Sequence, residues 1–285
     1  MNQNFVVSAV QFGAVHFAPN QNRETVEAQV RAEAASGAKL IVFPELAISG
    51  YCLELKGLLA CAEPANGPTA ALLRTLANEL QVVIVCGFCE CVPNGKLFNS
   101  ALLVAPNRAD VLYRKLHLFS HEKTIFEPGD LGLVIADTDL GSIGICVCYD
   151  LRFVEVARGL SLAGADMLAV PTAWVGGFDK KPYDAMGYIG QVRSALAQAN
   201  LDQIPLVCAS QSGGNQGTQF LGSSIIADAH GTCLEGPMGE DEVGALRAIF
   251  NLDEIRNARV RSQLVRPRTD RRTDVYGICL GTTRF

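Results

Sequence analysis

The amino-acid sequence predicts an α/β protein in which a mixed sheet is covered by helices. Short apolar runs typical of buried strands alternate along the chain with longer amphipathic stretches typical of helices. Other apolar runs follow each other too closely for a helix to fit between them, and the turn Pro93-Asn94-Gly95 joins two of these as a hairpin. Because hairpins add antiparallel pairs to a sheet that helical crossovers make parallel, the expected sheet is mixed.

The first half of the chain divides into strands and helices at recognisable boundaries. Asn20 or Asn22 is the expected N-cap of the first helix and Gly37 its end, because Asn caps helices and Gly adopts the left-handed conformation that ends them. Pro68 fits the first turn of the second helix, where its missing N–H is not needed. In order, the predicted elements are a strand over 5–12, a helix over 22–36, a strand over 40–43, a helix over 68–80, and strands over 82–89 and 97–105.

The second half of the chain continues the alternation. Its predicted elements are a strand over 141–148, a helix over 153–163, a strand over 167–170, a helix over about 183–200, and strands over 205–210, 220–227 and 244–250. No linker rich in Pro, Gly or Ser interrupts the chain, so residues 1–285 are expected to form one domain. Arginines interleaved with acidic residues in the segment 253–285 favour a tail that clasps another subunit over an arm that binds nucleic acid.

Composition and charge argue against several classes of function. The net charge of −5 comes without a basic stripe, which makes nucleic acid an unsuitable partner. No apolar run approaches the roughly 20 residues of a membrane span, and the N-terminus lacks the basic and apolar regions of a secretory signal. The ten cysteines sit mostly inside strand-like runs, as buried thiols do in a reducing compartment. These features predict a soluble, cytoplasmic protein that binds neither nucleic acid nor membranes.

A cysteine at the end of an apolar run is the strongest candidate for a catalytic group. Cys148 closes the run 141–148, and the strand is expected to pass directly into a helix at this point. A thiol at such a corner is exposed at the carboxyl edge of a sheet and lies beside a helix N-terminus, which favours the thiolate. Cys146 shares its face of the strand but precedes the corner, so it is expected to be buried. Cys148 is therefore the predicted nucleophile.

A carboxylate and an ammonium group also lie beside apolar stretches. Glu45 follows the buried strand 40–43, where a carboxylate is costly unless it is paired or functional. Lys115 lies in the segment 113–119, which is otherwise largely apolar and aromatic. Together with a thiol, these two side chains are the groups that a base, an oxyanion clamp and a nucleophile require.

Six motifs occur in a fixed order along nearly the whole chain. They are Phe43-Pro44-Glu45 with Gly50-Tyr51, Tyr113-Arg114-Lys115-Leu116-His117, Phe126-Glu127-Pro128-Gly129-Asp130, Cys148-Tyr149-Asp150-Leu151-Arg152-Phe153, Pro171-Thr172-Ala173-Trp174, and the segment 220–231. Each motif alone is a weak signal, but the ordered set resembles the nitrilase superfamily of carbon-nitrogen hydrolases. The resemblance implies a four-layer α-β-β-α sandwich and a homodimer or higher homo-oligomer in which the tail 253–285 contacts a partner subunit.

The resemblance also implies roles for individual residues. Lys115 corresponds to the cation that faces the tetrahedral oxyanion together with the backbone N–H of Tyr149. Glu122 corresponds to a second glutamate near the nucleophile, and it is preferred to the nearby Glu127. Two aromatic side chains are interpreted as walls of the substrate pocket, namely Tyr51 and Trp174.

The activity implied by the resemblance is that of an amidase. Nitrilases tend to carry Cys-Trp-Glu at the nucleophile, whereas Cys148-Tyr149-Asp150 looks like the amidase branches. The implied enzyme hydrolyses small carboxamides to the carboxylic acid and ammonia through a thioester on Cys148, with Glu45 as proton shuttle. It needs neither a metal nor an organic cofactor, and its partner is a small-molecule amide.

Other functions are weighed against the amidase. An N-carbamoyl amino acid or amine amidohydrolase remains an alternative function. The amino acid enzymes typically carry two adjacent arginines three and four residues beyond the cysteine, whereas this chain has Leu151 and Arg152 there. A nitrilase also stays open, whereas a non-catalytic scaffold is disfavoured because the thiol, carboxylate and lysine are all present. No G-x-S-x-G serine elbow lies near a histidine. The cysteines Cys86, Cys89 and Cys91 lack a second ligand pair and are interpreted as buried thiols rather than a zinc site.

Overall fold

Two six-stranded mixed sheets face each other in the computed structural model, which describes residues 4–177, 180, 182–215 and 218–285. Within these residues the strands are β1 (Asn4–Gln11), β2 (Ala38–Val42), β3 (Val83–Cys91), β4 (Leu97–Val104), β5 (Val111–Arg114), β6 (Val134–Thr138), β7 (Gly141–Ile145), β8 (Met167–Thr172), β9 (Leu206–Ser210), β10 (Gly214–Asn215), β11 (Thr218–Gln219), β12 (Ile225–Ala227), β13 (Cys233–Glu235), β14 (Gly244–Asn251), β15 (Cys279–Leu280) and β16 (Thr283–Arg284). The helices are α1 (Pro19–Ala35), α2 (Leu55–Cys61), α3 (Pro68–Leu80), α4 (Val154–Leu162), α5 (Gly190–Asp202) and α6 (Leu252–Asn257).

The two sheets have matching topologies. Their strand orders are β14-β1-β2-β3-β4-β5 and β13-β12-β9-β8-β7-β6. Three neighbouring strands run parallel at the centre of each sheet, β1-β2-β3 in one and β7-β8-β9 in the other, while the flanking strands pair antiparallel. The mixed sheet predicted from the alternation of helices and hairpins is confirmed, with the difference that there are two such sheets.

The apolar run over 40–43 contributes to the cores on both faces of the first sheet. Leu40 and Val42 are fully buried against the second sheet, whereas Ile41 and Phe43 point the other way, into a core shared with α1 and α3. A strand buried on both faces needs apolar residues at every position, because successive side chains point to opposite faces. On the far side of the second sheet, α4 and α5 cover another core in the same way. The four-layer α-β-β-α sandwich is therefore confirmed.

Several element boundaries differ from the prediction. Helix α1 begins at Pro19, and its N-cap Ala18 makes no side-chain cap. The side chain of Asn22 instead donates hydrogen bonds to the backbone carbonyls of Val15 and Ile48, so the predicted Asn cap is wrong. Gly37 ends this helix region with a φ of +88°, as predicted.

The largest errors concern the second half of the chain. Helix α5 begins at Gly190 rather than near Tyr183, because Tyr183 instead forms an isolated antiparallel bridge with Ile189. The strand predicted over 220–227 is confined to β12, since Gly222 and Ser223 have φ of +53° and +62°, which no strand accommodates. The short elements α2, β5, β6, β13 and α6 are not predicted at all.

The C-terminal tail 253–285 packs against its own chain. Arg256 and Arg259 form ion pairs with the buried carboxylate of Asp166. Further along, the Arg268 guanidinium donates to the backbone carbonyls of Ser161, Asp202 and Gln203. Contact between this tail and a partner subunit stays a prediction. No helix among the described residues is long and apolar enough to cross a membrane.

Candidate active site

Cys148 lies just beyond the carboxyl end of β7, in a strained backbone conformation. Its φ is +49°, in the left-handed region that residues with a side chain rarely adopt. A 3-10 turn over Cys148–Arg152 separates β7 from α4, so the predicted strand-to-helix corner is real but one turn wider than expected. Cys148 is partly exposed, whereas Cys146 is fully buried in the core beneath α4 and α5.

Three buried charged side chains form a cluster beside this turn. The Lys115 Nζ atom lies 2.6 Å from Glu45 Oε1 and 2.8 Å from Glu122 Oε1. The side chains of all three residues are completely excluded from solvent. Buried charges are tolerated only when they are paired and hydrogen-bonded, and here one ammonium group bridges two carboxylates.

Glu45 and Lys115 each lie just beyond the carboxyl end of a strand of the first sheet, and Glu122 lies in a turn further along the chain. Glu45 follows β2, and its backbone N–H donates to the carbonyl of Thr172 at the end of β8 in the opposite sheet. Lys115 follows β5, and its N–H donates to the carbonyl of Asn99 in β4. Glu122 sits in a 3-10 turn over Ser120–Thr124. Groups far apart in sequence therefore meet where the two sheets face each other.

Neighbouring polar groups hold both carboxylates in fixed orientations. The Asn99 Nδ2 group donates to Glu45 Oε1 at 2.7 Å, the same oxygen that Lys115 binds. Glu122 accepts from the Tyr51 hydroxyl at 2.6 Å and from the Phe119 backbone N–H at 3.0 Å. The second oxygen of Glu45, Oε2, is buried and has no hydrogen-bond partner among the described residues. An unsatisfied buried carboxylate oxygen is a group that can receive a proton or bind a reactant.

Burial and mutual charge shift the proton affinities of the cluster. Desolvation raises the pKa of Glu45 to about 7, the Glu122 carboxylate adds to the rise, and the Lys115 ammonium opposes it. Desolvation alone would lower the pKa of Lys115, but the two carboxylates outweigh it and raise that pKa above its usual range. Glu45 therefore exchanges its proton near neutral pH while Lys115 stays charged.

Burial opposes ionisation of the Cys148 thiol. Desolvation and the neighbouring Glu45 carboxylate raise its pKa well above the usual value, and Lys115 offsets only part of this rise. The expectation that the corner itself favours a thiolate is therefore not met. A thiol in this environment needs a neighbouring base to become a nucleophile.

A cavity opens beside Cys148. Cys148 forms part of its wall, and the space is open to solvent. Its walls are mostly apolar or aromatic, with polar groups from α5 and the 3-10 turn; they include Phe119, Tyr149, Trp174, Val175, Arg152 and Gln191. The apolar lining favours a small organic molecule over a peptide.

The carbon-nitrogen hydrolase family model matches residues 6–260. The chain belongs to this family. A protein of Pyrococcus abyssi named nitrilase is 33% identical to this carbon-nitrogen hydrolase over 273 residues, which cover 95% of this chain and 98% of the relative. An N-carbamoylputrescine amidase of Solanum lycopersicum is also 33% identical, over 296 residues that cover 98% of this chain and 96% of the relative.

The fold of this carbon-nitrogen hydrolase resembles that of a solved member of the nitrilase superfamily. Saccharomyces cerevisiae Nit3, described as a member of branch 10 of that superfamily, superposes with a TM-score of 0.80. The match covers 94% of this chain and 97% of Nit3, at 23% sequence identity. This likeness supports the four-layer architecture across almost the whole chain.

Most residues that the sequence singled out in this carbon-nitrogen hydrolase lie together. Glu122 rather than Glu127 meets Lys115, because Glu127 lies on the surface beside Lys96. Tyr149 and Trp174 line the cavity at Cys148. Tyr51 does not, since its hydroxyl is bound to Glu122 and its ring borders the neighbouring depression.

Sequence reasoning missed two polar residues that touch the catalytic candidates. Asn99 is inside strand β4, and its side chain donates to Glu45, which lies 54 residues away in the sequence. Gln211 follows β9 and donates to the backbone carbonyl of Glu45 at 2.9 Å. A buried amide within an apolar strand is the one sequence signal that could have drawn attention to Asn99. Among the described residues, no group of three or more His, Cys, Asp or Glu side chains is placed to hold a metal ion.

Proposed function

We propose that this carbon-nitrogen hydrolase is an amidase that converts small primary carboxamides into carboxylic acid and ammonia. The observation that carries the proposal is the bridge that Lys115 makes between Glu45 and Glu122, close enough to Cys148 to shift its pKa. This arrangement supplies a thiol, a base that exchanges protons near pH 7, and a fixed positive charge. Acyl transfer from nitrogen to water requires these three groups.

In the first half of the reaction, Glu45 Oε2 takes the thiol proton of Cys148 as Sγ attacks the amide carbonyl carbon. The negative charge that develops on the carbonyl oxygen is stabilised by the Lys115 ammonium group and the backbone N–H of Tyr149. Glu45 then donates its proton to the amide nitrogen, the carbon–nitrogen bond breaks, and ammonia leaves. A thioester between the acyl group and Cys148 remains.

In the second half, Glu45 removes a proton from a water molecule that attacks the thioester carbonyl. The same two donors stabilise the second oxyanion, and the proton returns through Glu45 to Cys148 as the carbon–sulfur bond breaks. The carboxylic acid is released and the enzyme regains its starting protonation state. The cycle uses only side-chain and backbone groups of this chain, water and the substrate.

Glu122 is proposed to hold Lys115 rather than to transfer protons. Both of its oxygens are occupied, Oε1 by Lys115 and Tyr51 and Oε2 by the Phe119 backbone N–H. Its negative charge helps to keep Lys115 protonated despite burial. Glu45, which retains an unpaired oxygen, is the better candidate for the base.

The cavity lining supports small aliphatic or cyclic amides as substrates. Phe119, Trp174 and Val175 offer apolar walls to an acyl group beside Cys148. A nitrile would form a thioimidate, whose nitrogen must be protonated a second time, and the cluster around Glu45 contains no further acid free for this task. Among the candidate substrates, the site therefore suits an amide best.

An N-carbamoyl amine amidohydrolase is the second candidate, because a full-length relative at 33% identity is an N-carbamoylputrescine amidase. Specificity constants for matched sets of small amides, N-carbamoyl amines and nitriles with the same carbon skeleton would separate the candidates. We expect the amides to be hydrolysed fastest. A higher kcat/KM for the N-carbamoyl or nitrile set would overturn the substrate assignment, and no turnover of any set would favour a non-catalytic protein.

A further inference from the structure

Asp150 lies two residues beyond Cys148, and its carboxylate is completely buried. Its Oδ2 atom accepts hydrogen bonds from the Tyr113 hydroxyl at 2.6 Å and from the Val147 backbone N–H at 3.0 Å. Its Oδ1 atom accepts from the His117 backbone N–H at 2.9 Å and lies 2.9 Å from His117 Nδ1.

These donors flank both of the groups that the proposed reaction uses. Tyr113 and His117 are two residues before and two residues after Lys115, and Val147 immediately precedes Cys148. One buried carboxylate therefore connects the segment that carries the ammonium group to the turn that carries the thiol. Neither Lys115 nor Cys148 itself is bonded to Asp150 among the contacts of the described residues.

The turn at Cys148 needs such support. Its left-handed φ of +49° is unfavourable for a residue with a side chain, and a strained conformation persists only where its surroundings hold it. Asp150 closes the turn in both directions: its backbone N–H donates to the Val147 carbonyl at 3.0 Å, and its carboxylate accepts from the Val147 N–H. The position of Sγ depends on this closed turn.

We propose that Asp150 is a positioning residue for the reaction. Its carboxylate sets the distance between the Cys148 thiol and the Lys115 ammonium group, and with it the site where the oxyanion forms. The inference rests on the proposed function for the roles of Cys148 and Lys115. Asp150 itself neither contacts the substrate nor moves a proton, since it is fully buried and both its oxygens are occupied.

A buried carboxylate elsewhere in the chain provides a matched control. Asp166 is 2% exposed and accepts hydrogen bonds from the Ser142 backbone N–H and from two arginines of the tail. It precedes β8, whereas the catalytic cluster lies beyond the other end of that strand. Asp150→Asn and Asp166→Asn therefore make the same chemical change at two buried acids, only one of which is tied to the active site.

Asparagine at position 150 would turn an amide N–H₂ toward donors that need an acceptor. Both variants should melt at a lower temperature than the wild type. Only Asp150→Asn should lower kcat, by something like the ~100-fold that a displacement of about 1 Å between reacting groups costs, with little change in KM. Equal losses of kcat in the two variants at the same folded fraction would overturn the proposal.

A second variant decides the matter if Asp150→Asn fails to fold. Tyr113→Phe removes one hydroxyl donor and keeps the ring, so it should fold and show a smaller fall in kcat at unchanged KM. The rate at which iodoacetamide alkylates Cys148 should fall in the same variants, and this reading requires no amide substrate. If the substrate assignment is wrong, the effect on the alkylation rate should remain. The positioning role would be refuted if Tyr113→Phe and any folded Asp150→Asn kept the kcat and the alkylation rate of the wild type.

Discussion

Asn99 and Lys115 donate to the same oxygen of Glu45, so that Oε1 is bound twice while Oε2 has no partner among the described residues. The asymmetry leaves Oε2 as the oxygen that exchanges protons in the proposed mechanism. It also gives Asn99 a measurable influence, because its hydrogen bond favours the ionised form of Glu45 and lowers the pKa that burial raises.

The first prediction concerns the pH dependence of kcat/KM. The pKa of Glu45 is raised to about 7, chiefly by desolvation, and the base must be ionised to take the thiol proton. Activity should therefore fall tenfold per pH unit below about pH 7. Asn99→Leu removes a hydrogen bond that lowers the pKa of Glu45. The acid limb of its pH–kcat/KM profile should therefore move to higher pH.

A change in the same strand serves as the control for Asn99→Leu. Ser100→Ala also removes a buried hydrogen bond to a carboxylate, but that carboxylate belongs to Glu90. Its acid limb should coincide with that of the wild type in pH–rate profiles. An acid limb of Asn99→Leu that stays in place or moves to lower pH would show that another group controls the profile.

The second prediction concerns the nucleophile. Cys148→Ala should abolish turnover without unfolding the protein, because the residue is only partly buried and the change removes a single sulfur atom. Cys146→Ala should reduce the melting temperature, since Cys146 is fully buried, but leave kcat nearly unchanged. Alkylation followed by peptide mass spectrometry should label Cys148 first, in step with loss of activity. Inactivation that precedes labelling at this position would exclude the proposed nucleophile.

The third prediction concerns the charge at Lys115. Lys115→Met should reduce kcat by about 100-fold or more through loss of oxyanion stabilisation. It should also cost about 3–5 kcal/mol of unfolding free energy, because two buried carboxylates lose their shared counter-ion.

The double variant Lys115→Met with Glu122→Gln separates these two effects. Removing one of the stranded charges should restore part of the stability, as measured by denaturant unfolding, while turnover stays lost. Recovery of activity along with stability would mean that Lys115 serves the fold rather than the reaction.

The fourth prediction concerns assembly. The tail exposes large apolar side chains, among them Leu264, 88% exposed, and Val275, 67% exposed. Exposed apolar surface of this kind is typical of a face that another subunit covers. We expect a homodimer or larger homo-oligomer in light scattering, and dissociation toward monomer in Leu264→Asp. A monomeric wild type at micromolar concentration would contradict the subunit-clasping tail.

Local sequence patterns predicted those features that local physics determines. The run over 40–43 is apolar at every position because β2 is buried on both faces, and a carboxylate placed just after it had to be paired. Gly37 marks a helix end because its backbone is left-handed. The ion pair between Glu45 and Lys115 was not predicted, since nothing local brings two residues 70 positions apart together.

Features set by tertiary contacts escaped prediction. Asn22 is a residue type that often caps helices, but its side chain donates hydrogen bonds to backbone carbonyls of neighbouring segments instead. The break at Gly222 and Ser223 depends on the close approach of other segments, such as the Gly239 carbonyl that lies beside Gly222. Asp150 stands inside a recognisable motif, yet its role depends on donors from a distant segment, which no pattern within the motif reveals.

The left-handed backbone at position 148 lowers conformational stability when the residue there is a cysteine, which the proposed activity requires. Holding a side-chain-bearing residue there costs about 1–3 kcal/mol, which glycine would not incur. A Cys148→Gly protein should therefore melt at a higher temperature than Cys148→Ala and at least as high as the wild type, although it lacks the thiol at this position. Selection for thermal stability alone would therefore favour glycine at this position, and the proposed nucleophilic role accounts for a cysteine there.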